Sequence, residues 1–309
     1  MSLAAARLAL RLGRFEMTAF GVLLVASIVG GLMAAAHIAS LAPPAVCFGP
    51  SIDVQPAICD NAGQFYGAVG TFSGPLTTAL IYLALTAGAF MGVPIVAREL
   101  ERGTSRLAWS LAPSRWRWYL ARMLPMLVVV AILGYLAGYT ADRLLAAAEP
   151  NLDVTAAFAS FGSRGLLLAS RAVFVFSIAV AVGGIVGRSL PAIIITAVVV
   201  AVGIGGGSEV HHRILAAEAV PVTLEAVRPG DLWIDTRFLL PGGSLVGWDY
   251  FTDSSAHDEL GNPLYPEFAL VVPGERYRSA ETREALVLAG GSAMSLLLGG
   301  FVVTRRRPG

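Results

Sequence analysis

The sequence predicts an all-α integral membrane protein: six transmembrane helices, an N-terminal interfacial helix, and a folded extracellular insertion between the fifth and sixth helices. Three observations carry this prediction. Apolar residues (Ala, Val, Ile, Leu, Met, Phe, Trp, Tyr, Cys) make up 56% of the 309 residues, and the mean hydropathy is +0.70. Soluble domains run at about 45–50% apolar even with Gly counted, and at about 25% charged; here charged residues are 14%. Second, six apolar runs reach or approach the roughly 20 residues that a helix needs to cross a bilayer core about 30 Å thick. Third, Arg is concentrated in alternate loops, the pattern of a chain oriented by its positive charges.

Composition also excludes functions. All 22 basic residues are Arg. A P-loop needs a Lys to reach the nucleotide phosphates, so the chain carries no ordinary Walker A site, and Lys-based Schiff chemistry is excluded too. The net charge of +1 gives no basic field that would favour nucleic acid.

Residues 1–16 read as a cytoplasmic amphipathic helix. Arg7, Arg11 and Arg14 share one face at i, i+4, i+7, and Leu8, Leu12 and Phe15 share the neighbouring one. Such a helix lies in the headgroup layer or serves as a positive-inside anchor. The first span, Met17–Leu41, is longer than a signal-peptide core of about 7–15 residues and is read as a true span. The other spans are Leu76–Val96, Trp118–Thr140, Gly165–Val186, Leu190–Gly206 and Ala285–Thr304. Helices are the default because lipid offers no partner for backbone N–H and C=O groups.

With the N-terminus in the cytoplasm, the inner segments hold 13 Arg and only three acids: Glu16, Glu99 and Glu101. The short outer loops hold none and two (Arg143, Arg164). Both termini are therefore expected in the cytoplasm.

Cys47 and Cys59, the only cysteines, share the first outer loop. A disulfide is expected in an oxidising exterior; two free thiols are the alternative. Residues 207–284 form an extracellular cap with 13 acids against six Arg and eight aromatics. That many aromatics argue for a folded unit rather than a disordered linker. Ser208–Ala219 reads as a short helix, and Leu232–Leu240 and Phe268–Val272 as short strands. The cap is either a lid over a substrate path or a passive cover. Residues 285–309 supply the sixth helix and a basic tail.

Arg171 lies about a third of the way into the fourth span. A charge there faces protein or water: it lines an anionic-substrate path, pairs with an outer acid such as Glu149 or Asp153, or snorkels outward. His37 reads as packed. His211 and His212, beside Glu209, point apart on a helix and make a poor metal pair. Gly183-x-x-x-Gly187 and Gly203-x-x-x-Gly207 permit close helix packing, as do Gly290-Gly291 and Gly299-Gly300. No catalytic constellation and no metal set is expected.

The inner loop 98–117 is densely charged and aromatic. Gly103 and Thr104 break the helix that leaves the second span, and Thr104 can cap a new one. An interfacial belt of Arg and Trp accounts for Arg115 to Arg122 but not for Glu99 and Glu101. The string Arg98-Glu99-x-Glu101-Arg102-Gly103-Thr104, followed by Leu111, Pro113, Ser114 and Arg115, resembles the motif of ABC-2 type transporter permeases. The overall plan is similar too, with 17–206 holding helices one to five and the motif loop after the second. The 207–284 insertion is larger than the short re-entrant helices usual in that family.

This resemblance implies a permease in the bacterial plasma membrane that exports an amphipathic substrate such as a drug, lipid, peptide or glycoconjugate. It implies no ATPase site in the chain, which binds no cofactor; ATP and Mg would sit on a separate ABC ATP-binding subunit. The other partners are a second permease half, identical or not, and the lipid bilayer. Arg98, Glu99, Glu101, Arg102, Gly103, Thr104, Arg106 and Arg115 would form the ATPase-coupling element. A secondary transporter or an ATP-independent sensor or assembly protein are the alternatives. No Asp or Glu lies centrally in any span, as an ion-coupled transporter would need.

Overall fold

The computed structural model describes residues 14–44, 47, 59–104, 109–110, 114–250 and 264–306. Residues 1–13 lie outside that set, and with them nearly all of the expected interfacial helix. Seven helices are described: α1 (Arg14–Leu41), α2 (Ala62–Ala68), α3 (Gly74–Glu101), α4 (Arg115–Ala148), α5 (Gly165–Val186), α6 (Ser189–Ala217) and α7 (Tyr277–Arg305). Among the described residues, six helical stretches are long and apolar enough to cross a membrane, with α2 and α3 counted as one stretch, Ala62–Glu101.

A π-helical turn, Val69–Ser73, joins α2 to α3. Pro75 follows in the first turn of α3, directly after the π turn. Pro94 and Pro125 sit inside α3 and α4. The fourth span ends at Val186 as expected, because Gly187 adopts φ +71° and donates its N–H to Gly183 O at 2.9 Å. Glycine takes this left-handed exit without a Cβ clash.

The chain divides into two compact units. The first comprises residues 1–151, 162–204 and 281–309. Its core joins Leu24, Ile38, Phe65, Leu80, Leu144 and Phe176. In bilayer-spanning helices such packing rests on close fit rather than on water exclusion, and small residues provide it. A Cβ at Gly88 would stand 2.7 Å from Ala172 O, one at Gly92 2.7 Å from Phe176 O, and one at Gly183 2.8 Å from Val93 O. These three glycines bring α3 and α5 to backbone contact, and α5 is the most enclosed of the spans.

The second unit comprises residues 152–161 and 205–280. It is not all-helical: it holds a four-stranded antiparallel sheet in the order β1-β4-β2-β3, from β1 (Val220–Thr223), β2 (Leu232–Leu239), β3 (Leu245–Val246) and β4 (Glu267–Val272). Asp231 ties two Pro-Gly turns together, accepting from Arg228 N at 3.0 Å and Gly274 N at 2.8 Å. Phe158, Leu215, Val272, Tyr277 and Ala280 form its core. Two expected boundaries shift. Ser208–Ala217 is no separate helix but the continuation of α6, and α7 begins at Tyr277, so Glu281 and Glu284 belong to the last helix rather than to the insertion.

Candidate functional site

The loop between α3 and α4 is built by two strong local signals. Helix α3 ends because Gly103 takes φ +69°; its N–H reaches Leu100 O at 3.2 Å, and Arg102 N reaches Arg98 O at 3.1 Å. Helix α4 begins at a serine cap: the Ser114 hydroxyl accepts from Arg117 N–H at 3.2 Å, which satisfies one of the open amides of the first turn. Thr104 donates to Glu99 O at 3.5 Å. Arg106 lies outside the described residues.

Glu99 points back into the fold. Its carboxylate forms an ion pair with Arg122 of α4, and both side chains are only 15% exposed. The Arg122 guanidinium stacks 5.2 Å from the Trp118 ring centre. Trp109 meets Trp118 edge-on at 6.1 Å, with Arg115 stacked 4.6 Å from the Trp109 ring. A largely buried carboxylate needs such a partner, because desolvation would otherwise disfavour its charge. Among the described residues, the second Glu99 oxygen and the two indole N–H groups are buried without a hydrogen-bond partner.

Glu101 reaches across to the next helix pair. Its Oε2 accepts from Ser189 N at 3.0 Å and from the Ser189 hydroxyl at 2.9 Å, at the first residue of α6. Arg115 donates to Thr304 O at 3.0 Å and to Arg306 O at 2.9 Å, at the end of α7. Arg306 in turn donates to Gly184 O and Ile185 O, both at 3.2 Å, at the end of α5. The Tyr119 hydroxyl donates to Leu296 O at 3.0 Å. Of the eight motif residues singled out in the sequence, Glu101, Arg102, Gly103 and Thr104 are exposed.

Arg171 pairs with an acid of the expected outer segment, Glu284, and not with Glu149 or Asp153. Its guanidinium holds Glu284 of α7 at 2.6 and 3.2 Å. At the same end, Arg164, 2% exposed, holds Asp142 at 2.8 Å, and Glu281 accepts from Leu166 N at 3.1 Å. Gly162, at φ +82°, has no room for a side chain beside the Arg171 guanidinium. Cys47 and Cys59 are joined in a disulfide. His37 meets Phe72 edge-on, and His211 stacks on Phe161.

Arg122, Trp118, Ser189, Arg306 and Glu284 were not singled out from the sequence. Only Ser114-x-x-Arg117 had a local signature, a serine before a helical run; the others pair across long stretches of chain.

The family described as ABC-2 membrane transporter related matches residues 15–206. Comparison with curated proteins and with solved structures gives no match. The matched stretch takes in α1 to α5, most of α6 and the whole inner loop, and on that match the chain belongs to the ABC-2 membrane transporter related family.

Proposed function

We propose that the chain is the permease subunit of an ATP-driven exporter of an amphipathic substrate, powered by a separate ATP-binding subunit. Permeases of this family work with such subunits. ATP and Mg would be bound by that subunit and not by this chain. Two permease halves, identical or not, would form the path in a bacterial plasma membrane, with both termini cytoplasmic. The Arg distribution supports that orientation, and it puts the Cys47–Cys59 disulfide and residues 207–284 outside.

The observation that carries the reading is the loop end of the bundle. An exposed tip, Arg102-Gly103-Thr104, projects from helix ends that are tied to α4, α6 and α7 by Glu99, Glu101 and Arg115. A segment that must receive a push from a soluble subunit needs an exposed contact and stiff connections behind it. Closure of the ATPase pair would move α3 and α4 and shift the permease between two states.

Charge reversal tests the reading. Arg102→Glu, Glu99→Arg and Glu101→Arg are expected to uncouple ATP hydrolysis from the permease in purified complexes. ATPase binding and stimulation that stay at the level of the unmodified protein in all three would overturn it.

A further inference from the structure

The helix termini at the loop end are completed by side chains from other helices. Four N–H groups at the start of a helix and four C=O groups at its end have no partner within the helix. At the start of α6 the partner is Glu101, from the last residue of α3. At the end of α7 it is Arg115, the first residue of α4. At the end of α5 it is Arg306, the residue after α7. In each case the charge has the sign that the helix dipole favours, an anion at an N-terminus and cations at C-termini. The chain between α5 and α6 is only Gly187-Arg188, too short to absorb a displacement without passing it on.

We propose that Glu101 and Arg115 are positioning residues that carry displacement of the inner loop directly into α6 and α7, with Ser189 and the α7 terminus as the receiving points. This rests on the permease reading for its purpose, but not for its geometry. It assigns Glu101 a second role: its carboxylate acts as the remote N-cap of the fifth spanning helix rather than only as a charge facing a partner.

Three variants separate these roles in the full-length protein purified from its membrane with whatever co-elutes. Glu101→Gln keeps an oxygen that can accept from Ser189 and loses the charge. Glu101→Ala loses both. Ser189→Ala loses the hydroxyl donor and leaves Glu101 charged. Hydrogen exchange at residues 189–192 reads the cap: protection should fall about fivefold in Glu101→Ala, the scale of one lost helix cap, less in Ser189→Ala, and little in Glu101→Gln. Co-elution of an ATPase reads docking and should survive in all three. The difference between ATP hydrolysis by the co-eluting complex and by the same ATPase stripped of the permease, with no substrate added, reads transmission: it should be lost in Glu101→Ala and largely rescued in Glu101→Gln.

Unchanged protection at 189–192 in Glu101→Ala would overturn the linkage, with or without an ATPase present. Loss of the co-eluting ATPase in both Glu101→Gln and Glu101→Ala would overturn it in favour of a docking charge. An unmodified protein that carries no ATPase would instead refute the permease reading, and the exchange data would still decide the cap.

Discussion

Replacing Gly92 by Ala tests whether α3 and α5 move as one lever. The added Cβ would stand 2.7 Å from Ala179 Cβ, 2.7 Å from Phe176 O and 3.3 Å from Val180 N. None of these is the end of a flexible side chain, so no rotamer change makes room. The helices must part by several tenths of an ångström. Overpacking of this kind costs about 1–3 kcal/mol, and gaps of that size along the rest of the seam forfeit dispersion energy. Against it stands a helix-propensity gain of about 1 kcal/mol for Gly→Ala. The expected net loss is up to about 2 kcal/mol, read as a lowered thermal midpoint of the purified protein. Gly30→Ala is the control: nothing lies within 4 Å of its Cβ position, so its midpoint should hold or rise. A Gly92→Ala protein at least as stable as the unmodified one would refute the close-contact account of the α3–α5 seam. Because α3 carries the inner loop, the same substitution should also lower ATPase coupling more than Gly30→Ala does.

Other consequences can be measured in the same preparation. Arg171→Ala removes the ion-pair partner of Glu284, whose side chain is 13% exposed; breaking a buried pair on one side costs about 3–5 kcal/mol. The double variant Arg171→Leu/Glu284→Leu should recover part of that, and a double-variant loss equal to the sum of the Arg171→Leu and Glu284→Leu losses would contradict the pair. Reduction of Cys47–Cys59 should lower stability by about 2–3 kcal/mol. An impermeant maleimide applied to intact cells should label these residues only after reduction, and labelling without it would contradict the bond. Asp153 accepts from the Thr155 hydroxyl at 2.8 Å and from its N–H at 2.9 Å, and these bonds hold its carboxyl below the usual aspartate range. A depressed folded-state value adds stability above the unfolded value near 3.9 that is lost as pH falls through the folded one. Amide protection in the turn Val154–Ala156 should therefore be flat from pH 7 to 5 and fall only below about pH 4, and a fall already by pH 5 would contradict this.

Long apolar runs between charged segments made the spans readable in the sequence, and Gly165–Val186 was placed to the residue because Gly187 stops it. Boundaries went astray where polarity and helix part company. The glycines at 203–207 and the polar Ser208–Ala217 read as an end and a new beginning, yet α6 runs through both, since Gly weakens a helix without breaking it. The charged first turns of α7 read as loop for the same reason. Strands β2 and β4 were visible in their β-branched and aromatic runs, whereas β1 was hidden by Pro221, which an edge strand tolerates. Within the candidate site, the bend at Gly103 was legible because a left-handed residue favours Gly. The partners of Glu99, Glu101 and Arg171 were not. A hydrogen-bonded pair such as Glu101 and Ser189, 88 residues apart, has no periodicity; the packing of α3 against α5, which ends two residues before α6, brings it together.

A permease of this kind is defined most directly by what accompanies it in its own membrane. Extraction in mild detergent followed by intact-mass measurement should find a soluble ATPase at one copy per permease, retained by the unmodified protein and lost on charge reversal at the exposed Arg102. A chain that elutes without an ATPase, from membranes in which its overproduction adds no ATP hydrolysis, would contradict the permease assignment.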